Sequence, residues 1–200
     1  MKMAAMAEKM PDSIDLTLGE PDIPTPEIIC SALYDAAKRG ETHYAPGMGL
    51  PGLRVAISNY WKRKYGLDYS KDEIFVTTGG SQASYLAMQT CLDPGDEVII
   101  LEPFFTFYEQ HVLQAGGVPV YCMSGAEEGF LPDPEKIESK ISKRTKAMIL
   151  NSPCNPTGAV FPFELLTQIA NIASKYDLLV ISDELYEAFA FDSPHVPFSS

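Results

Sequence analysis

The sequence predicts an α/β protein with a mostly parallel sheet flanked by helices. Three observations predict it. Short apolar runs recur near residues 74, 98, 119, 148 and 180, and stretches of helical spacing separate them. Several of these runs end in loops rich in Gly, Pro or Asn. One run, Leu178-Leu-Val-Ile-Ser-Asp183, ends on a carboxylate. In open α/β sheets, ligands bind at the C-terminal ends of the strands.

Taken in order, residues 14–26 are extended and turn-rich, with Gly19 and three prolines. A helix follows, with Thr25 as cap and Pro26 in the first position, and Gly40 ends it after Lys38-Arg39. Ile28, Ile29, Ala32, Leu33 and Ala36 share one face of it. The loop Thr42–Gly52 carries a single aromatic residue, Tyr44. Residues 53–65 are helical and stop at Gly66, with Trp61 on the apolar face. Glu73–Thr78 reads as a strand running through Gly79-Gly80-Ser81-Gln82 into the helix Ala83–Cys91.

Further strands are expected at 97–101, at 118–122 (an edge position, because Pro119 cannot donate), at 146–151 and at 177–183. Helices are expected at 107–115, 134–142 and 163–175, and residues 124–133 read as a loop.

Four loops at the strand ends carry candidate chemistry. Gly79–Gln82 reads either as a phosphate cradle, with free amides of the first helical turn, or as a tight turn with Ser81 as N-cap. Phe104 and Phe105 are a stacking platform or a core cluster, and periodicity favours core. Asn155, between Pro153 and Pro156, is an exposed amide on a stiffened loop or a turn former. Asp183 meets a cation or caps a backbone, and the ligand-pairing reading is preferred. Tyr186 lies three residues beyond it. Together these loops describe a ligand with an anionic arm, a flat ring, a ring substituent that accepts hydrogen bonds and a protonated nitrogen, which fits a pyridine with a phosphate arm.

Composition excludes other classes. The 200 residues are 46% hydrophobic and 21% charged, as in ordinary globular proteins. A net charge of −12 argues against non-specific binding of nucleic acid or an anionic membrane. Four scattered cysteines without CxxC or nearby His imply reduced thiols in a cytoplasmic protein, with no metal site. No signal peptide and no membrane-spanning run is expected.

Leu18-Gly-Glu-Pro-Asp22, Thr78–Gln82, Asp93-Pro-Gly-Asp96, Asn151-Ser-Pro-Cys-Asn-Pro-Thr-Gly158 and Ser182-Asp-Glu-Leu-Tyr186 resemble the class I/II aminotransferases, fold-type I enzymes that use pyridoxal 5′-phosphate. The resemblance runs from about residue 12 to the end. It implies transfer of an amino group between an amino acid and a 2-oxo acid. It also implies that Gly80 and Ser81 bind the cofactor phosphate, Phe105 stacks on the pyridine, Asn155 and Tyr186 bond the ring hydroxyl, and Asp183 pairs with the pyridinium nitrogen. Gly19 and Asn155 would meet the substrate. Tyr44 would reach the phosphate of a neighbouring subunit in a homodimer. Residues 1–40 would be an N-terminal arm and part of a small domain, and 41–200 a partial cofactor-binding large domain.

Two parts that the resemblance implies are missing. No lysine lies beyond Lys175, so the Schiff-base lysine is absent, and the last arginine, Arg144, matches no substrate-carboxylate site. Two strands between 74–78 and 178–183 are also missing, so the sheet is expected to be incomplete. The chain therefore reads as the N-terminal half of such an enzyme, inactive alone. The alternatives are a catalytically silent cofactor-binding or dimerising piece, or a lyase or decarboxylase of the same fold.

Overall fold

Parallel strands buried on both faces need apolar residues at successive positions, not alternate ones. Val98–Leu101 and Ala147–Leu150 meet that requirement, and in the computed structural model they form the two central strands. Residues 6, 7, 9, 10, 12, 14 and 19–200 are described. They fall into two units, Met1–Ala45 and Pro46–Ser200.

The second unit holds the sheet. Its strands are β1 (Glu97–Glu102), β2 (Val118–Met123), β3 (Thr145–Asn151) and β4 (Leu179–Asp183). They are all parallel, in the order β2-β1-β3-β4. Pro119 sits on the edge strand β2, as its missing N–H requires. β4 forms the other edge.

Alternation splits the core into two layers. Ile99, Leu101, Met148 and Leu150 face one side, where they pack with Leu165, Leu166 and Ile169 of the helix Phe163–Lys175. Val98, Ile100, Ala147 and Ile149 face the other, with Met88, Tyr108 and Val112. Each fully buried aliphatic chain contributes about 1.5–3 kcal/mol. In chain order the helices are α1 (Glu27–Lys38), α2 (Pro51–Tyr65), α3 (Gly79–Cys91), α4 (Phe107–Gln114), α5 (Pro134–Ser139) and α6 (Phe163–Lys175).

In the first unit, α1 buries none of its residues: Ile28, Ile29, Leu33 and Tyr34 are exposed. Its N-cap is Pro26, with no side-chain cap, so Thr25 does not take that role.

The main departure from the sequence reading is residues 74–78. Ile74 is extended, but the segment joins no strand, and a 3₁₀ turn occupies Lys71–Glu73. A strand is defined by its partner, and none lies beside these residues among those described. The segment is held by the Val76 amide, which donates to Met48 O at 3.1 Å. Gly49 permits this approach, since a Cβ there would lie 2.6 Å from Val76 Cβ.

The helix expected at Ala83 begins four residues earlier, at Gly79, whose φ of +78° turns the chain into it. Thr78 is the N-cap, so Ser81 is not; it occupies the third helical position. The loop 124–133 contains a 3₁₀ turn at Ala126–Glu128, and α5 ends at Ser139, not 142.

Candidate functional site

Because all four strands run the same way, their C-terminal ends share one edge of the sheet. Asn151 and Asp183, the last residues of β3 and β4, lie side by side in register. Above them opens a cleft lined by Gly80, Ser81, Phe105, Tyr108, Asn151, Asn155, Asp183, Leu185 and Tyr186. Gly80, Ser81, Phe105, Asn155, Asp183 and Tyr186, six of the residues that the sequence singles out, are therefore brought together. Gly19 and Tyr44 belong to the first unit, where both are exposed, and no heavy atom lies within 4 Å of a Cβ placed at Gly19.

Asp183 is held at both carboxylate oxygens and at its carbonyl. Its Oδ2 accepts from the Tyr108 phenol at 2.6 Å and its Oδ1 from the Leu185 amide at 3.1 Å. Its carbonyl accepts from Asn151 Nδ2 at 3.0 Å and from the Ser152 amide at 3.2 Å. Tyr108 is 2% exposed. Burial, and then the adjoining Asp183 charge, push its phenol far above the ordinary tyrosine range, which keeps it a donor.

Asn151 also ties down the loop that carries Asn155. Its Oδ1 accepts from the Asn155 amide at 2.7 Å, and its Nδ2 also donates to Pro153 O at 3.3 Å. The Gly158 amide closes the same loop onto Cys154 O at 2.7 Å. The Asn155 side chain is thereby left at the cleft wall.

At the opposite wall, α3 starts at Gly79. Among the described residues, the amides of Gly80 and Ser81 donate to no backbone carbonyl. Such first-turn amides, at the positive end of a 13-residue helix, suit an anion. Phe105 fills two places at once. It packs against the core layer of Val98 and Ile100, its ring lies 5.6 Å edge-on from Tyr108, and it also lines the cleft.

Tyr108 and Asn151 are the functional residues that sequence reasoning missed. Tyr108 lies three residues after Phe105, in the first turn of α4, and its amide donates to Phe105 O at 3.0 Å. Asn151 ends an apolar strand, as Asp183 does. Among the described residues, no His/Cys/Asp/Glu cluster suits a metal, and no helix is long and apolar enough to cross a membrane.

The donor set fits a phosphorylated pyridine: free amides for the phosphate, an aromatic face for the ring, an amide and a phenol for a ring hydroxyl, and a fixed carboxylate for a ring N–H. The chain is 46% identical over 184 residues to the aspartate/prephenate aminotransferase of Thermus thermophilus, covering 92% of this chain and 48% of that protein. It is 43% identical over 192 residues to an aspartate aminotransferase of Pyrococcus horikoshii, covering 96% and 49%. The chain thus spans about half the length of the curated relatives it matches. Among solved structures, it superposes on the aspartate aminotransferase of Thermus thermophilus with maleate at a TM-score of 0.95 and 43% identity, covering 99% of this chain and 52% of that one. An aromatic aminotransferase of Pyrococcus horikoshii gives 0.92 and 37%, covering 98% and 53%. The family model for class I and II aminotransferases matches residues 11–199. With nearly its whole length matched, the chain belongs to the class I and II aminotransferases.

Proposed function

We propose that this chain builds the pyridoxal 5′-phosphate cradle of an aminotransferase that moves an amino group between an amino acid and a 2-oxo acid. The observation that carries the reading is the convergence of Gly80, Ser81, Phe105, Asn155, Asp183 and Tyr186 on one cleft. When bound, the cofactor supplies an electron sink for charge developing at the substrate Cα.

The residues divide the work around it. The amides of Gly80 and Ser81 hold the phosphate. Phe105 covers one ring face, offering π-surface without a polar handle. Asn155 and Tyr186 hydrogen-bond the ring hydroxyl. Asp183 keeps the ring nitrogen protonated, and Tyr108 aims the Asp183 carboxylate. Gly19 and Asn155 meet the substrate, and Tyr44 reaches the phosphate of a second subunit in a cytoplasmic homodimer. Residues 1–40 form an arm and part of a small domain, and 41–200 the partial large domain.

The proton shuttle of the reaction needs a lysine, and the cleft lining contains none. We assign that lysine to a longer protein containing this chain, and expect the 200 residues alone to turn nothing over. The test is transfer from aspartate, the donor named in the curated relatives, to 2-oxoglutarate by the longer protein. Asp183→Ala is expected to abolish it nearly completely. Near-normal transfer by that variant would reject the role of Asp183. Release of ammonia or CO₂ in place of amino transfer would favour a lyase or decarboxylase on the same cradle.

A further inference from the structure

We propose that Glu187 is the positioning residue for Tyr186, clamping the turn that presents its phenol to the cleft. This rests on the functional reading above.

The two cleft residues at the end of β4 are held in different ways. Asp183 is fixed by four hydrogen bonds to its side chain and carbonyl. The Tyr186 phenol has no hydrogen-bond partner among the described residues, and its ring meets Phe189 edge-on at 6.1 Å. Its direction is therefore set by its backbone. That backbone is the cap of a three-residue 3₁₀ turn, Glu187–Phe189, closed by the Glu187 amide on Glu184 O at 3.1 Å and the Phe189 amide on Tyr186 O at 2.8 Å. Both bonds are internal to the segment, so neither attaches it to the rest of the fold.

Glu184, at the head of the turn, is held by His195 Nε2 at 2.9 Å and by the Phe198 amide at 3.0 Å, and the Glu187 side chain makes the attachment on the far side of Tyr186. Its carboxylate accepts from the phenols of Tyr60 and of Tyr65, the latter at 2.7 Å, and Lys64 Nζ lies 3.2 Å away. All three partners lie in the last two turns of α2. Their rings are themselves packed: Trp61 lies 5.2 Å from Tyr65 and 6.3 Å from Tyr60. The carboxylate side chain is 18% exposed. Burial raises its proton affinity, but the hydrogen bonds from Tyr60, Tyr65 and Lys64 outweigh this and leave it below the ordinary glutamate range. A charged acceptor holding three donors on one rigid helix is a fixed point one residue from Tyr186.

A double-mutant cycle on the 200-residue chain, read as Kd for pyridoxal 5′-phosphate by equilibrium dialysis, tests this. Tyr186→Phe and Glu187→Ala are each expected to weaken binding about five- to tenfold. The double variant is expected to bind no worse than Tyr186→Phe alone, because Glu187 acts through that phenol. Glu187→Gln keeps an acceptor for the tyrosines and should recover most of the loss. If Glu187→Ala does not fold, the cycle is run from the partner side with Tyr65→Phe, which removes one donor from the carboxylate, and judged by the same non-additivity. Unchanged Kd in Glu187→Ala, or losses that multiply in the double variant, would overturn the positioning role and leave the cradle intact. No saturable binding by the unmodified chain, or no effect of Tyr186→Phe, would overturn the functional reading and the Glu187 role with it.

Discussion

Tyr108 determines how Asp183 meets the cleft. A carboxylate at a strand end can rotate, and the 2.6 Å bond from a buried phenol, opposed by the Leu185 amide, removes that freedom. Tyr108→Phe keeps the ring in its core layer and removes only the donor. It is expected to cost about 1.5–3 kcal/mol, measured by urea denaturation, and to weaken cofactor uptake. Asn151→Ala is expected to cost more, because one side chain serves both the Asn155 loop and the Asp183 carbonyl. The figure is about 1–3 kcal/mol for each buried group left unpaired. Neither partnership was legible in the sequence, since Tyr108 and Asp183 are 75 positions apart. Asp183 itself was legible, because an apolar strand that ends on an acid places that acid at the ligand edge.

At the scale of elements, propensity and pattern found the helices and central strands, and context corrected several, two of them next to one another at residues 74–80. Gly79-Gly80 reads as a loop because glycine disfavours helix interiors, yet α3 starts there, where a first turn tolerates it. Ile74–Thr78 has strand composition without a neighbouring strand, and composition alone cannot form a ladder. Burying Met148 between β3 and α6 is typical of what does hold the sheet. Met148→Ala should cost about 2–5 kcal/mol by the same denaturation.

The start of β1 adds a pH dependence. Glu97 is held below its ordinary value near 4.5 by the Ser142 hydroxyl and then by Arg144, which lies 2.6 Å away. A folded-state value below the unfolded one contributes stability that is complete above the unfolded value and lost as pH falls through the folded one. Melting temperature should therefore stay level from neutral pH to about 5 and fall below it. Glu97→Gln should flatten part of that fall, and an unchanged acid slope would remove Glu97 as a cause.

At the scale of the molecule, the proposed role of the second unit is to build a cofactor cradle. The second unit brings four separate stretches, around residues 80, 105, 155 and 183–186, to one cleft. No lysine lies beyond Lys175, and the relatives it matches are about twice as long. The order of the motifs made the family legible. The donor amino acid was not, because only Asn155 and Gly19 were expected to meet the substrate. The cleft is proposed to bind pyridoxal 5′-phosphate with Asp183 on its ring nitrogen. The most direct test is equilibrium binding of pyridoxal 5′-phosphate to the 200-residue chain and to its Asp183→Asn variant. One saturable site, weakened about tenfold or more by the substitution, is the expected result. Equal binding by both proteins, or none by either, would contradict the account.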